Sequence, residues 1–461
     1  MTLKQSDLTR FTRLVGRLIK PTDIQTICLI PHGGSLKLCA FGKDAMLTFI
    51  ISKEGFCDPF AIRWDDLKKV SGKKSGDVTF NLTKDAVHVR SGEEQNWFGI
   101  GKKVNALPNR PSTTSTFHAV SFFASLVEAT RCTDPDNISR TALNGICLRG
   151  NTSQIISTTG SQLLVQDGYD FSWKDSDVVC PSSKIFASKE LKELDDNEVL
   201  LGLVNGFVYF SIGSVEFYLK AIDGVFPKVE GLLAPAEGAT FLTVDPGDAD
   251  FVLSKIDKLP GSQDHEKPIY LSLDVAAWIR AYERAHKTGI TLELSRSAFS
   301  GVAVSISLNR NFLKNALQFG CHKIGIDPAG DAPLVCTGDG RTFVCMPLSS
   351  STEPETEHMD VIASADSAPP AVTPTVAPKV AAAVAVTTPA PVVKRRRKVT
   401  TKRDAVKQTG EMALLQTAET IRNDLRNSLL QVNALIREVK AQRRQNRLLQ
   451  STMDNLRKLS L

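Results

Sequence analysis

The sequence predicts an α+β protein whose body, residues 1–348, is built from three similar domains of helix and antiparallel strand. Two observations predict this class. A short helical segment followed by two alternating strands occurs three times along the body. The equivalent residues Leu67, Leu191 and Leu317 of these segments are 124 and 126 residues apart, and a repeat of this period indicates similar domains. The chain of 461 residues is long enough for about three domains.

The three helical segments have apolar residues at helical spacing, over 62–70, 186–194 and 309–317. Each precedes an alternation of apolar and polar residues that is typical of strands. The strand pairs read DVTFNL and AVHVR, then EVLLGL and FVYFSI, then KIGID and TFVCMPL. A further helix is predicted to open each domain, over 6–20, 118–131 and 247–258.

For one segment, the composition and the repeat predict different secondary structures. Residues 274–286 (DVAAWIRAYERAH) have the composition of a helix. The repeat instead requires strands between Pro268 and Leu308. We follow the repeat and predict that this segment is mainly strand.

The domain limits follow from the repeat and from proline-bearing stretches at 108–111 and Pro235. We predict three domains at 1–114, 115–238 and 239–348. The composition then changes, because residues 349–393 contain seven prolines among many Ala, Val and Thr. Prolines prevent regular structure, so 349–404 is predicted to be a disordered or extended linker.

The linker ends in a basic cluster that is followed by a long helix. The cluster consists of Lys394, Arg395, Arg396, Arg397 and Lys398. It is either a solvated charged stretch or a contact with the DNA phosphate backbone. Residues 405–461 show apolar positions in alternating steps of four and three, with Asn446 at an a-type position, which is the coiled-coil pattern. The helix either self-associates or packs on a partner, or it lies on the body or frays.

The charge is unevenly distributed along the chain. Lys and Arg number 56 against 50 Asp and Glu, which gives a net charge of +6. Residues 349–461 hold 18 basic and 11 acidic residues, so the body 1–348 has a net charge of −1. This balance excludes a histone-like protein that binds DNA with its whole surface, but it allows a local basic face.

Several other classes of protein are also disfavoured. The sequence contains no run of 18 apolar residues, so no membrane span is predicted. The N-terminus has no apolar signal-peptide core, so secretion is not expected. The nine cysteines include no CxxC pair, so we predict reduced, mostly buried thiols, a cytoplasmic location and no metal site. The motifs GxxxxGK[ST], HExxH and GxSxG are missing. We therefore predict that the protein is not an enzyme and needs no cofactor.

Four stretches of the body match a known pattern in order and spacing. Residues 139–145 (SRTALNG) are similar to S-R-P-V-L-N-G, and 158–163 (TTGSQL) to T-D-G-H-R-L. Residues 222–227 (IDGVFP) match I-D-G-x-F-P, and 343–348 (FVCMPL) match an aromatic-Val-x-Met-Pro-(Met/Leu) end. The chain thus resembles the bacterial β sliding clamp, the β subunit of DNA polymerase III, as a divergent member with a C-terminal coiled-coil extension.

The resemblance implies three tandem clamp domains, each with two helices and two small antiparallel sheets. Two protomers would pair head to tail into a closed ring around duplex DNA, with the helices lining the hole. Such a ring is a processivity factor that makes and breaks no bond. The implied partners are duplex DNA, a second copy of the chain, and DNA polymerase and clamp-loader-type proteins that bind through short peptide motifs.

The predicted helices carry basic residues suited to the hole of such a ring. In the first helix these residues recur at steps of three and four, so they share one face. The DNA-binding candidates in the body are Arg10, Arg13, Arg17, Lys20, Lys68, Lys69, Lys189, Lys192, Arg310 and Lys314. They would hold phosphates loosely enough for sliding. The alternative is that they belong to ordinary solvated helix faces.

The resemblance also implies a peptide-binding cleft between the middle and last domains. There partners would insert an apolar motif of the type Q-L-(S/D)-L-F. Carried over position by position, the cleft residues are Arg140, Leu143, Thr158, Gly160, Ser161, Leu163, Pro227, Leu232, Val344, Met346 and Pro347. Ser161 and Gln162 replace a His and an Arg of the family, and Ala142 replaces an aromatic residue, so we expect a cleft altered in shape or polarity. The apolar members are alternatively core residues.

Protomer contacts are predicted at Phe98 and Ile100, which alternate on the last strand of the first domain. Core residues are the alternative reading of these two positions. Two functions remain: a DNA-encircling clamp that tethers polymerase or repair proteins, or a non-replicative clamp-fold scaffold that acts through its basic coiled-coil tail.

Overall fold

A computed structural model of the chain describes residues 1–24, 26–52, 58–71, 76–101, 106, 108–135, 141–194, 197–264, 266–283, 288–348 and 358–364. These residues belong to one compact unit, Met1–Pro370. The predicted basic cluster at 394–398, the predicted helix over 405–461 and the cleft residue Arg140 lie outside the described residues.

The first repeat alternates strands with two helices. Its elements are β1 (Thr2–Lys4), α1 (Gln5–Leu18), β2 (Thr26–His32), β3 (Ser35–Phe41), β4 (Ala45–Ser52), β5 (Phe60–Arg63), α2 (Trp64–Val70), β6 (Asp77–Leu82), β7 (Ala86–Ser91) and β8 (Glu94–Gly99). Helix α1 forms because Leu8, Phe11, Leu14 and Val15 share one buried face.

The second repeat has the same order of elements. They are β9 (Thr114–His118), α3 (Ala119–Thr130), β10 (Gly145–Arg149), β11 (Gln154–Thr158), β12 (Gln162–Asp167), β13 (Asp177–Pro181), α4 (Lys189–Lys192), β14 (Glu198–Val204), β15 (Phe207–Ile212) and β16 (Val215–Lys220). Its second helix is only one turn long and follows a 3₁₀ turn at Lys184–Ala187.

The third repeat adds one short strand to this order. Its elements are β17 (Thr240–Thr243), α5 (Pro246–Lys255), β18 (Pro268–Leu273), β19 (Ala277–Glu283), β20 (Thr288–Glu293), β21 (Ala298–Ser300), β22 (Val304–Asn309), α6 (Arg310–Gln318), β23 (Lys323–Ile326), β24 (Leu334–Gly338) and β25 (Arg341–Cys345). Asp245 and Asn309 cap α5 and α6 by accepting hydrogen bonds from Gly247 N (2.8 Å) and Asn311 N (2.9 Å).

The strands assemble into four sheets, and two of these sheets join consecutive repeats. The order β5-β2-β3-β4-β16-β15-β14-β9 joins the first repeat to the second, and β13-β10-β11-β12-β25-β24-β23-β17-β21 joins the second to the third. The sheets β1-β6-β7-β8 and β22-β18-β19-β20 each belong to a single repeat. One apolar core underlies the first two repeats and another the third.

The predicted opening helices and the strand at 274–286 are confirmed. Residues 277–283 form β19, in which Ala277, Ile279 and Ala281 alternate into the core. Pairing with β18 and β20 outweighs the helical composition of this segment. The domain limits at 114/115 and 238/239 remain predictions.

The prediction of no regular structure after Leu348 is wrong at one place. Residues His358–Ala363 form a further strand, β26, which pairs in parallel with β20. The segment HMDVIA contains no proline and includes two β-branched residues, so it can extend the sheet at an edge that offers unpaired backbone groups.

Candidate nucleic-acid surface and partner-peptide cleft

The exposed face of α1 carries the basic stripe that the sequence predicts. Arg10, Arg13 and Arg17 lie opposite the buried apolar face, and Lys20 follows the helix in an exposed position. The side chains of Arg13 and Arg17 are 65% and 41% exposed. This face is open to an anionic ligand.

A buried carboxylate on α4 anchors two of these arginines. Glu190 lies 3.5 Å from Arg13 (Oε1 to Nη1) and 3.7 Å from Arg17 (Oε2 to Nε). Its Oε2 also accepts a hydrogen bond from Ser188 Oγ at 2.7 Å. Burial raises the pKa of Glu190, but the hydrogen bonds from Ser188 and from its own backbone N–H, with the charges of Arg17 and Arg13, lower this pKa below its usual value overall. The carboxylate therefore ties the first repeat to the second and partly neutralises the stripe.

The structure adds neighbours that sequence reasoning missed. A groove of about 540 Å³ runs between α1 and α4. Its lining residues are Lys4, Gln5, Ser6, Thr9, Arg10, Arg13, Gly76, Asp77, Glu190 and Glu193. Lys4 immediately precedes α1, and its charge could have been added to the predicted stripe on that ground.

Most of the other predicted basic residues sit in ion pairs. Lys68 lies 3.1 Å from Asp65, and Lys69 lies 2.9 Å from Asp66. The longer contact, from Lys189 to Glu193, is 3.9 Å. The pairs of Lys68 and Lys189 are exposed on both sides and are weak, whereas Asp66 is buried, but all three cations remain accessible. Lys192 is exposed and forms no ion pair within the described part of the chain.

Arg310 does not belong to this surface, contrary to the prediction. Its side chain is buried, and its guanidinium donates to the carbonyl oxygens of Leu259 (2.7 Å) and Ile256 (3.4 Å) and, in a shorter contact, of Pro260. These carbonyls end α5 and the turn after it. Arg310 therefore caps the carboxyl end of α5, and its buried guanidinium is not available to a ligand. Lys314 is 27% exposed and pairs with Asp257 at 2.6 Å.

A second groove, of about 500 Å³, lies where α3 and α6 meet. Arg131, at the end of α3, donates to Gln318 Oε1 at 2.5 Å. Gln162 donates to the Arg131 carbonyl at 3.1 Å and accepts from Asn315 Nδ2 at 3.2 Å. Gln162 thus bridges the second and third repeats instead of facing the cleft, and Arg131 is a cation that the sequence did not single out.

The predicted cleft lies at the joint between β12 and β25. Leu163 is the backbone partner of both Thr158 and Val344. Beyond the paired strands, Met346 N donates to Ser161 O at 2.9 Å. Thr158 Oγ1 donates to Gln162 O at 2.7 Å and accepts from Gly160 N at 3.0 Å. Gly160 has φ +95°, so this turn requires a glycine.

A separate apolar cluster drawn from both repeats underlies the predicted cleft residues and would form the floor of such a cleft. Leu163 and Val344 are buried there together with Phe226, Val229 and Val335. Sequence reasoning missed the last three, although Phe226 is the aromatic residue of the matched IDGVFP stretch. Leu143 is also buried.

Three of the predicted cleft residues are apolar and exposed, and they would form its rim. The side chains of Leu232 and Met346 are 46% and 41% exposed, and Pro227 is exposed as well. Arg149 positions the turn that carries Leu232, because it donates to Glu230 Oε1 at 2.6 Å while also pairing with Asp177 at 3.2 Å. A buried apolar floor with an exposed apolar rim can accept an apolar peptide anchor.

Neither Phe98 nor Ile100, the two predicted protomer contacts, is exposed. Phe98 is buried in the core of the first repeat, which favours the core reading for this residue, and Ile100 is partly buried. The exposed aromatic residue of β8 is Trp97, which is 65% exposed and stacks on His88 with ring centroids 4.5 Å apart.

Comparison with solved structures identifies the architecture. The crystal structure of the DNA polymerase III subunit beta from Pseudomonas aeruginosa superposes with a TM-score of 0.65 at 16% sequence identity, covering 76% of this chain and 99% of that one. The chain has the fold of the DNA sliding clamps. A sliding clamp of Pseudomonas aeruginosa bound to griselimycin gives a TM-score of 0.64 at 17% identity over the same shares of the two chains. No protein-family model and no curated protein matches the sequence.

The described residues contain neither a grouped set of metal ligands nor a membrane-spanning helix. Within the described ranges, no three His, Cys, Asp or Glu side chains are grouped so that they could hold a metal ion. Among the helices described, none is long and apolar enough to cross a membrane.

Proposed function

We propose that the protein is a sliding-clamp-like processivity factor. Two copies close into a ring around duplex DNA, and the ring tethers polymerase or repair proteins through the cleft between the second and third repeats. The basic stripe of α1 holds the phosphate backbone loosely, and the cleft accepts the apolar anchor of a short partner peptide. No bond is made or broken in this function.

The observation that carries the proposal is a joint that occurs twice. Across the three repeats, the third strand after the first helix is β4, β12 or β20, and the last strand is β8, β16 or β25. Strand β4 pairs antiparallel with β16, and β12 pairs antiparallel with β25. The same rule leaves β20 and β8 as the remaining pair. They can meet only between two copies, and two such joints close a ring of six repeats.

The charges support loose rather than tight DNA binding. The body has a net charge of −1, and most of its candidate cations are paired with carboxylates. Tight binding through phosphate contacts needs many unpaired cations. A closed ring does not need them, because it is held by its topology.

The test compares circular and linear DNA. The full chain is assembled with nicked circular plasmid or with the same plasmid after linearisation, and free protein is removed by gel filtration at high salt. We expect protein to remain on circles and to be lost from linear DNA, since a ring can leave only over an end. Equal loss from both DNAs as salt rises would contradict encirclement and would indicate electrostatic binding, as the scaffold alternative expects.

A further inference from the structure

The strand β26 occupies the edge that the two existing joints assign to a second copy. It runs along the outer side of β20 over six register pairs, from Thr288↔His358 to Glu293↔Ala363. Two hydrogen bonds continue the contact, from Ser364 N to Glu293 O and from Ser295 N to Ser364 Oγ, both 3.1 Å. Within the described residues, β8 pairs with β7 alone. One of the two joining edges is thus covered by the chain itself.

The pairing of β26 differs in direction from the joints between repeats. Strand β26 is parallel to β20, whereas β16 and β25 are antiparallel to their partners β4 and β12. A parallel ladder is slightly less stable for each residue than an antiparallel one. A second copy's β8 that followed the repeated rule would form the stronger type of ladder.

A notch in β20 receives β26. Gly289 has no side chain, and a Cβ atom placed there would lie 2.8 Å from Met359 Sδ and 3.0 Å from Tyr282 Cδ1. The glycine thus provides the space that the end of the Met359 side chain occupies. Together with the six register pairs, this contact places β26 at one position along β20.

The seat is shallow compared with the joints between repeats. Val361 and Ile362 of β26 remain 59% and 37% exposed. At the joint between β4 and β16, the paired Leu47 and Phe217 are fully buried, as are Leu164 and Phe343 between β12 and β25. Since apolar burial provides most of the docking free energy, β26 can leave its edge at far lower cost than a joint strand.

The tether compensates for this shallow seat. Leu348 is fixed beside β22 through its N–H to Ser307 O at 2.8 Å, and nine residues, 349–357, connect it to β26. A short tether gives an effective concentration up to about millimolar. A second copy at micromolar concentration therefore competes at a disadvantage of about a thousandfold.

We propose that β26 is a built-in competitor for ring closure: it holds the β20 edge until it is displaced, and only then can β8 of a second copy pair there. This inference rests on the proposed function, because the assignment of β20 as the closing edge comes from the clamp joints. It adds that assembly of the ring is controlled by the chain's own segment at 358–363.

The first experiment measures the joint directly in the full chain. One preparation carries Gln95→Cys on β8, and a second carries Glu293→Cys on β20. Both also carry Cys57→Ser, which removes the ninth native thiol. The other eight cysteines are buried and should not react with the reagent. The mixed proteins are treated with a flexible bis-maleimide, and covalent heterodimers are counted. The release variant Ile362→Pro removes a ladder donor from β26, because the N–H groups of alternate residues face β20 and Ser364 N is one of them. Ile362→Val is its matched control, because it keeps the β-branched shape.

We expect the yield of heterodimer to rise by about tenfold or more in Ile362→Pro and to stay unchanged in Ile362→Val. Equal, substantial cross-linking in all proteins would overturn the role of β26 while leaving the ring intact. No cross-linking even in the release variant would show that β8 and β20 do not join, and the ring proposal would fail together with this inference.

A reversible lock keeps the test valid if the proline variant folds poorly. Glu293 and Ala363 are register partners, so Glu293→Cys with Ala363→Cys can form a disulfide that fixes β26 on its edge. The oxidised protein should not remain on nicked circular plasmid at high salt, and reduction of the same sample should restore retention. Equal retention before and after reduction would overturn the proposal.

Discussion

At the scale of single residues, Glu190 shows how a buried carboxylate organises the basic stripe. It receives Arg13, Arg17 and Ser188 Oγ at one point, between the first and second repeats. Its lowered pKa means that the ionised form is favoured in the folded protein. The stabilisation is therefore present above the ordinary glutamate pKa of 4.5 and is lost as the pH falls through the lower pKa of the folded state.

We predict that Glu190→Gln lowers the free energy of unfolding at pH 7 by about 1–2 kcal/mol, a small value because both arginines are solvent-exposed. The difference from the native protein should shrink as the pH falls below 4.5. Urea unfolding at several pH values measures both. Glu193→Gln is the control, because its 3.9 Å pair with Lys189 is exposed and contributes less than about 0.5 kcal/mol. A difference that persists unchanged into acid would contradict this account.

At the scale of elements, the rim of the cleft can be separated from its floor. Leu163 and Val344 support the fold, whereas Leu232 and Met346 are exposed and free to meet a peptide. We predict that Met346→Glu or Leu232→Glu weakens binding of a labelled Q-L-S-L-F peptide to the full chain by about tenfold, because the apolar anchor would meet a charge.

Fluorescence anisotropy measures this affinity. Val275→Glu is the matched control, since Val275 is 94% exposed in the turn between β18 and β19 and should leave binding unchanged. Equal affinities for all four proteins would show that the peptide does not use this rim. No measurable binding to the native chain would remove the tethering role but not the fold.

The elements also show what the sequence could and could not reveal. Helix α1 and the alternating strands were predictable, because each is specified by its own apolar period. Strand β19 was predictable only from the repeat, since its composition favours a helix. Strand β26 was not predictable, because six residues beside a proline-rich stretch become a strand only through a distant edge, β20.

The same limit applies to the site residues. The spacing of Arg10, Arg13 and Arg17 predicted a shared face correctly, because helical geometry is local. Two other placements depend on residues that are more than 50 positions apart in the sequence. Arg310 is buried against the carbonyl oxygens at the end of α5, and Gln162 turns into the contact between repeats. No local pattern in the sequence encodes such contacts.

At the scale of the whole molecule, the balance of charge decides how DNA is held. A ring whose body carries −1 should bind short linear duplex weakly, through the few cations that are not already paired. Arg10 lines the groove beside α1, and Lys192 is exposed on α4. Each phosphate contact that is removed reduces the slope of log affinity against log salt by about 0.9.

We therefore predict that Arg10→Ala combined with Lys192→Ala, which removes two phosphate contacts, reduces this slope by about 1.8. Titration of a short fluorescent duplex at several salt concentrations measures it. Lys323→Ala is the control, because Lys323 is exposed at the start of β23, over the ring of Phe241, and on the sheet side of its repeat. An unchanged slope in the double variant, or an equal decrease in the control, would mean that the α1 and α4 face is not the one that meets DNA. The hole of the ring would then have to be lined by other elements.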